Sequence, residues 1–277
     1  HNGSATSPVS LGFTGVGKRG EDLLALCAEM DDVEIPAVCD LQTRRLDATE
    51  DTLVEAERPA PTRYDDHEAM LAAENLDAVV IATSWRHHIP MAVQAMEAGV
   101  RPGMDVGPAS SIEECWDLVK TAEQTGQNCM LLENACYHRN RLAALNMVRD
   151  GLFGELVHAQ CGYLHDIRPE IHGERPTRMA ERDGMGYRTL HFLHRNADVY
   201  PTHGIGPVAK YLGVNRGNRF TSLTSTASKS RGLEEWAEEN LPEDAPTRDR
   251  DWAIGDVVTT VIQCANGETA IINHDCS

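Results

Sequence analysis

A glycine-rich turn between an apolar segment and a helical pattern constrains the fold of this chain more than any other feature. Residues Leu11 to Thr14 form a short apolar run, Gly15-Val16-Gly17-Lys18-Arg19-Gly20 follows, and helical periodicity begins at Glu21. In a GxGxxG turn the first glycine permits the tight bend, the second lets the backbone approach a pyrophosphate, and the third lets helix and strand pack closely. The pattern predicts a strand–turn–helix unit that binds a phosphate group at the helix N-terminus.

An acidic residue after the next predicted strand, residues 33–39, indicates which dinucleotide binds. Asp40 lies 20 residues beyond Gly20, where a carboxylate accepts hydrogen bonds from the adenosine ribose hydroxyls. A carboxylate at this position repels the 2′-phosphate of NADP, so we predict NAD as the cofactor. The residues leave one alternative open, a glycine-rich surface turn followed by a surface aspartate.

Strands and helices alternate through the rest of the first half. The pattern predicts strands at residues 76–82, 100–106 and 129–133 and helices at residues 67–74, 89–98 and 112–125. Such alternation predicts an α/β fold with a doubly wound parallel sheet, whose ligands bind beyond the carboxyl ends of the strands. The residues that we expect to contact the cofactor are Gly15, Gly17, Lys18, Arg19, Gly20, Asp40, Thr83, Trp85, His88, Asp105 and Asn134.

The pattern changes after Asn134. Predicted helices at residues 140–149 and 200–212 accompany predicted strands at 155–163, 220–227, 256–264 and 269–274. Asn266-Gly267 favours a hairpin between the last two strands, residues 167–187 read as a long polar loop, and the acidic run 234–251 reads as a solvated helix and loop. We therefore predict a Rossmann domain over residues 1–134 and an α+β domain over residues 135–277, built on a mostly antiparallel open sheet.

Composition excludes several classes of protein. The formal charge of −18 argues against nucleic-acid or anionic-membrane partners, and no apolar run is long enough to span a bilayer. The cysteines form no CxxC pair, and the closely spaced histidines lack a further ligand at a telling spacing, so no metal site is expected. The start at His1 without Met reads as a processed end or as residues added for expression, which leaves both a cytoplasmic location and export after removal of a leader open.

Longer motifs in both halves identify a family. Residues 162–166 read Gly-Tyr-Leu-His-Asp, and residues 200–207 read Tyr-Pro-Thr-His-Gly-Ile-Gly-Pro. Together with residues 15–20, 92–99, 113–116, 145–149 and 151–156, these segments resemble the Gfo/Idh/MocA superfamily. Within it they resemble the NAD-dependent glycoside hydrolases of family 109, which are known for α-N-acetylgalactosaminidase activity.

One strand end separates the branches of this superfamily. The dehydrogenases typically carry Glu-Lys-Pro there, with a lysine that assists oxidation of the hydroxyl, whereas the glycosidase branch typically reads Glu-Val-Pro. This chain reads Asp105-Val106-Gly107, so the resemblance favours the glycosidase branch. The aspartate implies a carboxylate about one methylene further from the nicotinamide, and Gly107 implies a looser turn.

The resemblance also implies a reaction and the residues that perform it. The sugar is oxidised at C3 by NAD, the C2 proton is removed, the aglycone leaves C1, water adds, and the hydride returns. By residue matching, Tyr163 is expected as the C2 base and His203 as the group on the C3 hydroxyl. The residues expected to position the sugar are Glu133, His165, Arg188 and Tyr200. Because free tyrosine titrates near 10, Tyr163 needs a cationic or hydrogen-bonding neighbour, which Arg188 or a histidine could provide.

Two other functions stay open at this point. The first is a superfamily oxidoreductase that releases NADH from a sugar or cyclitol, and the second is an NAD- and sugar-binding protein without turnover. The resemblance further implies a homodimer and, because relatives continue past the position of Ser277, a second sheet that is incomplete at that residue. The sugar, its anomer and the aglycone stay undetermined.

Overall fold

The computed structural model describes residues 7–107, 109–173 and 185–276. The chain separates into two compact units, His1–Leu132 and Glu133–Ser277. The division falls between Leu132 and Glu133 rather than after Asn134, so both Glu133 and Asn134 belong to the second unit. Among the described residues, no helix has the length and apolar character needed to cross a membrane.

The first unit is built on a parallel sheet with strand order β4-β3-β1-β5-β6-β7, and β2 also pairs with β1. The strands are β1 (Val9–Thr14), β2 (Val33–Glu34), β3 (Ala37–Cys39), β4 (Thr62–Tyr64), β5 (Ala78–Ile81), β6 (Arg101–Met104) and β7 (Met130–Leu131). The helices are α1 (Lys18–Ala28), α2 (Thr43–Glu55), α3 (His67–Ala73), α4 (Trp85–Glu97) and α5 (Ile112–Thr125). The strand pairs are parallel, which confirms the predicted doubly wound fold.

The predicted strand over residues 33–39 is divided in two. β2 pairs with the start of β1 through Val33 and Glu34, whereas β3 pairs with the end of β1 through Val38 and Cys39. Pro36 lies between them and has no amide hydrogen to donate to a neighbouring strand. Its carbonyl oxygen instead accepts from the amide of Thr62 at 2.7 Å. The proline therefore interrupts a segment that the sequence predicts as a single strand.

Buried apolar side chains from the strands and helices fix the strand ends of the first unit. Phe13, Val38 and Leu24 pack in one cluster, and Ile81 and Met104 pack in another. Burying a side chain of this size stabilises the fold by about 1.5–3 kcal/mol. The carboxyl ends of β1, β3, β5 and β6 are thus held side by side at one edge of the sheet.

The second unit is built on a sheet with strand order β8-β11-β10-β9. The strands are β8 (His158–Leu164), β9 (Phe220–Ala227), β10 (Val257–Cys264) and β11 (Thr269–Asp275). β10 pairs antiparallel with β9 and β11, and β11 pairs parallel with β8. The predicted hairpin through Asn266-Gly267 is confirmed, because Cys264 N donates to Glu268 O at 2.8 Å and Gly267 has a φ of +103°.

Helices of the second unit pack buried side chains against this sheet, such as Phe192 and Leu233 with Val258 and Val208 with Ile272. After a 3₁₀ turn, Asn134–Tyr137, they are α6 (Arg139–Arg149), α7 (Arg168–Ile171), α8 (Tyr187–His194), α9 (Thr202–Tyr211) and α10 (Gly232–Asn240). The prediction of a loop over residues 167–187 is wrong at Arg168–Ile171, where Pro169 occupies the first turn of a short helix and its fixed φ suits that position. Residues 174–184 of that predicted loop lie outside the described residues.

Candidate active-site groups in the two units

The glycine-rich turn of the first unit has the geometry of a phosphate cradle. Gly15 has a φ of +82°, and a Cβ on Gly20 would come within 1.9 Å of the carbonyl oxygen of Gly15, so a larger residue cannot occupy position 20 without moving the turn. Within the described residues, no side chain caps the N-terminus of α1, whose first amides and positive dipole end suit an anion. These features fit the pyrophosphate of a dinucleotide.

Asp40 lies buried beside this turn. Its carboxylate accepts from the amide of Val16 at 3.0 Å and from the amide of Gln42 at 2.9 Å, and Arg45 Nη1 lies 3.4 Å from its Oδ2. The carboxylate therefore braces the glycine-rich turn at the end of β3. The position fits an acid that receives ribose hydroxyls, whereas the Val16 contact is one that the sequence pattern did not indicate.

The carboxyl ends of β5 and β6 carry further predicted cofactor contacts. His88 Nε2 lies 3.0 Å from the carbonyl oxygen of Thr83, and burial lowers the pKa of His88, which favours the neutral ring. Asp105 is buried and accepts from Arg19 Nε at 3.3 Å. Lys18, by contrast, is exposed and pairs with Asp22.

Trp85 explains the glycine at position 107. Gly107 has a φ of +85°, and a Cβ there would come within 2.2 Å of the indole Nε1 of Trp85. Trp85 is buried at the start of α4. The glycine that was expected to loosen this turn instead makes room for an indole packed against it.

Tyr163 is the centre of the polar cluster of the second unit. It lies near the carboxyl end of β8, in register with His274 of β11. Its ring centroid lies 4.5 Å from that of His165, 4.6 Å from that of Tyr200, and 5.8 Å from that of His203. The structure thus brings together side chains from β8, from the segment before α9 and from α9 itself.

Arg188 of α8 contacts this cluster from a buried position. Its Nη1 donates to the hydroxyl of Tyr163 at 3.4 Å, and its guanidinium carbon lies 5.1 Å from the ring centroid of Tyr200. Burial raises the pKa of Tyr163 above the usual tyrosine value, and the Arg188 charge offsets only part of that rise. Arg188 is thus the expected cationic neighbour of Tyr163, although burial raises the pKa of the phenol by more than Arg188 lowers it.

His203 forms a carboxylate–imidazole pair with Glu133. His203 Nδ1 lies 2.7 Å from Glu133 Oε1, which also accepts from the amide of Ala135 at 2.9 Å. Burial of Glu133 opposes its charge, but the interactions with His203, Thr202 and Ala135 together outweigh burial and lower the pKa of the carboxyl. An ionised carboxylate only accepts, so Nδ1 carries the proton and Nε2 is the basic nitrogen of the ring.

Small residues place His203 at this site. A Cβ on Gly204 would come within 2.9 Å of the amide nitrogen of Gly162, and one on Gly206 within 3.0 Å of Cys136 Sγ. α9 therefore packs directly against β8 and the 3₁₀ turn. Arg141 Nη1 also donates to the carbonyl oxygen of His203 at 3.1 Å, which ties α6 to α9.

The remaining predicted contact, Asn134, lies in the second unit. It opens the 3₁₀ turn in an exposed position, where its Nδ2 lies 3.5 Å from His138 Nε2. Glu133, expected to hold the sugar, is instead buried behind His203. Its hydrogen bond to the cluster is the one to the imidazole of His203.

Sequence reasoning missed Glu170, His274 and Cys276 as members of this cluster. Glu170 lies 3.4 Å from Arg188 Nη1, the His274 and Tyr163 ring centroids lie 6.0 Å apart, and Cys276 Sγ lies 3.4 Å from His274 Nε2. His274 had a usable signal, because it continues the buried alternation of Ala270 and Ile272 along β11. Glu170 had none, since it lies in a polar segment without periodicity.

Comparison with known proteins agrees with both units. Residues 137–277 match the model for the "Glycosyl hydrolase 109, C-terminal domain". Residues 9–132 match "Oxidoreductase family, NAD-binding Rossmann fold". The chain belongs to glycosyl hydrolase family 109. The family resemblance and the fold class predicted from the sequence are thereby confirmed, and NAD is the cofactor of the matched Rossmann family.

Relatives within family 109 share most of this chain. A glycosyl hydrolase family 109 protein of Parabacteroides distasonis is 41% identical over 99% of the chain and 62% of its own length. An α-N-acetylgalactosaminidase of Tannerella forsythia is 43% identical over 99% of the chain and 62% of its own length. The chain therefore spans less than two thirds of the length of these relatives.

Solved structures extend the likeness to the fold of the oxidoreductases. The scyllo-inositol dehydrogenase of Lactobacillus casei, solved with bound cofactor NAD(H) and scyllo-inositol, has a TM-score of 0.71 and 13% sequence identity. The aligned region covers 98% of this chain and 71% of that chain. At this identity the likeness establishes the fold, and the site of the second unit must be interpreted from its own residues.

Proposed function

We propose that this chain cleaves α-N-acetylgalactosaminides, or closely related glycosides, by NAD-dependent oxidation and elimination. The observation that carries the proposal is the cluster of Tyr163, Arg188, His203 and Glu133 in a member of family 109. In this proposal the first unit binds NAD and the second unit holds the sugar. Bound NAD would supply the oxidation at C3 that acidifies the proton on C2.

The residues of the first unit that would hold NAD are those of the glycine-rich turn, with Asp40 at the ribose hydroxyls. The cradle formed by Gly15 and Gly20 has no room for a Cβ at position 20, which suits backbone contact with a pyrophosphate. Asp105 and Arg19 form an ion pair at the strand ends where ligands of such sheets bind.

Tyr163 is the base in this proposal. Its hydroxyl accepts a hydrogen bond from Arg188, so the guanidinium stabilises the phenolate that takes the C2 proton. The ring stays among His165, Tyr200 and His203, which orients the phenol. A sugar that displaces water from this cluster strengthens the attraction between phenolate and guanidinium.

His203 is the group that holds the C3 hydroxyl. Because Nδ1 donates to Glu133, Nε2 is left to accept the hydroxyl proton, and the carboxylate stabilises the imidazolium that results. Glu133 thus acts through His203, as a positioning residue. The roles of His165 and Tyr200 are to orient the sugar around Tyr163.

Val106 favours this proposal over a dehydrogenase. The dehydrogenase branch is expected to place a lysine at this position, and Val106 is apolar and buried. The side chain here cannot transfer the proton of an alcohol, so the proposal assigns that transfer to His203.

The test compares the native chain with Tyr163→Phe in deuterated water, using 4-nitrophenyl α-N-acetylgalactosaminide and NAD. We expect the native chain to introduce deuterium at C2 and the variant to lose this exchange by at least about 100-fold, the typical contribution of a general base. NAD affinity, measured by calorimetry, should be unchanged because Tyr163 lies in the second unit. Exchange that survives in the variant would remove Tyr163 from the role of base.

A further inference from the structure

A carboxylate outside the predicted site shares the guanidinium that contacts Tyr163. Arg188 Nη1 lies 3.4 Å from the hydroxyl of Tyr163 and 3.4 Å from Glu170 Oε2. The Arg188 side chain is 9% exposed and that of Glu170 is 22% exposed. One buried nitrogen of Arg188 therefore contacts both the Tyr163 hydroxyl, on β8, and the Glu170 carboxylate, on α7.

We propose that Glu170 is a positioning residue that holds the Arg188 guanidinium against the Tyr163 hydroxyl and balances its charge. The proposal rests on the proposed function, in which Tyr163 is the base. Glu170 lies on α7, between the end of β8 and α8. Its amide donates to the carbonyl oxygen of Ile167 at 2.9 Å, so the helix turn holds the backbone that carries the carboxylate.

Charge balance gives Glu170 a definite effect on Tyr163. With Tyr163 protonated, the positive charge of Arg188 lies beside the negative charge of Glu170. When Tyr163 loses its proton, a second negative charge faces the same guanidinium, and Glu170 repels it. The carboxylate therefore favours the protonated phenol, whereas Arg188 favours the phenolate, and both effects act on the pKa of Tyr163.

Other titratable groups also face Tyr163 and must be separated from this effect. Burial lowers the pKa of His274 to about 4 and raises that of Cys276 to about 12, so both are neutral between those limits. Among the described residues, the groups around Tyr163 that are present equally in native and variant chains include His165, Tyr200, His203, His274 and Cys276. A comparison that changes Glu170 alone removes their contribution.

The direct test is a near-ultraviolet titration of tyrosine ionisation. The native chain and Glu170→Gln are each titrated, and the curve of the same chain with Tyr163→Phe is subtracted to isolate Tyr163. We expect the midpoint of Tyr163 to move to lower pH in Glu170→Gln, because the glutamine keeps the shape and removes the charge. A midpoint that is unchanged or moves to higher pH overturns the proposal.

Further variants separate charge from structure. Glu170→Asp retains the carboxylate and should leave the midpoint closer to that of the native chain than Glu170→Gln does. Glu234→Gln removes the same charge from an exposed pair with Arg231, 3.3 Å apart on α10, and should not move it. A purely structural role for Glu170 would lower the thermal midpoint of unfolding in both Glu170 variants and leave the Tyr163 titration unmoved, which would also overturn the proposal.

An activity measurement distinguishes this inference from the proposed function. We expect the acid limb of the kcat/KM profile to move to lower pH in Glu170→Gln, with the plateau changed by less than about tenfold because the base remains in place. If the native chain releases no nitrophenol, the proposed function fails, yet the titration still decides the role of Glu170. If C2 exchange depends on Tyr163 but the titration is unmoved, the function stands and this inference falls.

Discussion

At the scale of single residues, the site depends on two polar side chains that are buried and hold others in place. Arg188 contacts Tyr163, and Glu133 contacts His203. Burying either charged group without a hydrogen-bond partner would destabilise the fold. Arg188 has the Tyr163 hydroxyl as a partner, and Glu133 has the His203 imidazole. The chemistry of the second unit therefore depends on pairs rather than on isolated side chains.

The Glu133–His203 pair gives a prediction about stability and pH. Glu133→Gln should lower the free energy of unfolding by about 1–3 kcal/mol, because the buried hydrogen bonds to His203 and Ala135 lose their charged acceptor. The folded pKa of Glu133 lies below its unfolded value, so the contribution is fully present above the unfolded value and is lost as pH falls through the folded one. Urea unfolding of both chains from neutral to acid pH measures it.

A matched variant tests whether this effect belongs to the buried pair. Glu74 accepts from the hydroxyl of Tyr64 at 2.7 Å in a partly exposed position of the first unit. Glu74→Gln should cost less than Glu133→Gln, and its cost should vary less with pH. If the two variants lose equal stability at every pH, the interpretation of Glu133 as an ionised acceptor for His203 is contradicted.

At the scale of elements, packing explains why the turn after β6 carries Gly107 where the glycosidase branch typically has proline. Gly107→Ala places a Cβ within 2.2 Å of Trp85 Nε1 at a φ of +85°. Gly126→Ala also introduces a Cβ at positive φ, +70°, but no atom of the described residues outside its own chain neighbours lies within 4 Å of it. We expect the first change to cost about 1–3 kcal/mol more than the second, because overpacking adds to backbone strain. Thermal unfolding of the two variants measures the difference, and equal costs would contradict the packing explanation.

The elements also show how much of this structure could be predicted from the sequence. The glycine-rich turn, the alternating strands and helices and the final hairpin follow from local patterns, and the structure has them. The division of the predicted strand 33–39 at Pro36 was missed because the prediction rested on hydrophobicity rather than on the proline's missing amide hydrogen. α7 lies in a polar segment where periodicity is absent, so Glu170 was not predicted as a site residue. The contact between Asp40 and Val16 depends on how two strands align, which no short motif encodes.

At the scale of the whole molecule, the two units have separate cores and, in our proposal, separate tasks. NAD should therefore stabilise the first unit. At a concentration of about 100 times its Kd, a ligand that binds the folded state alone adds about 2.7 kcal/mol. NADP at the same concentration should stabilise less, because Asp40 faces the added phosphate. Scanning calorimetry with each nucleotide measures this, and equal stabilisation by NADP would contradict the role given to Asp40.

The chain spans only part of the length of its family 109 relatives. It covers 62% of the length of the relatives from Parabacteroides distasonis and Tannerella forsythia. We therefore propose, for this chain, the activity and substrate given above. The homodimer implied by the family resemblance stays a prediction, for which the molecular mass in solution from light scattering is the measurement.

The measurement that tests the central claim most directly is the stoichiometry of turnover. The chain is incubated with 4-nitrophenyl α-N-acetylgalactosaminide in deuterated water and less NAD than substrate, and nitrophenol, NADH and deuterium at C2 are followed together. Our account predicts many nitrophenol molecules released for each NAD present, deuterium at C2 of the released sugar, and no accumulation of NADH. Accumulation of NADH in step with oxidised sugar, without nitrophenol, would contradict it and identify a dehydrogenase.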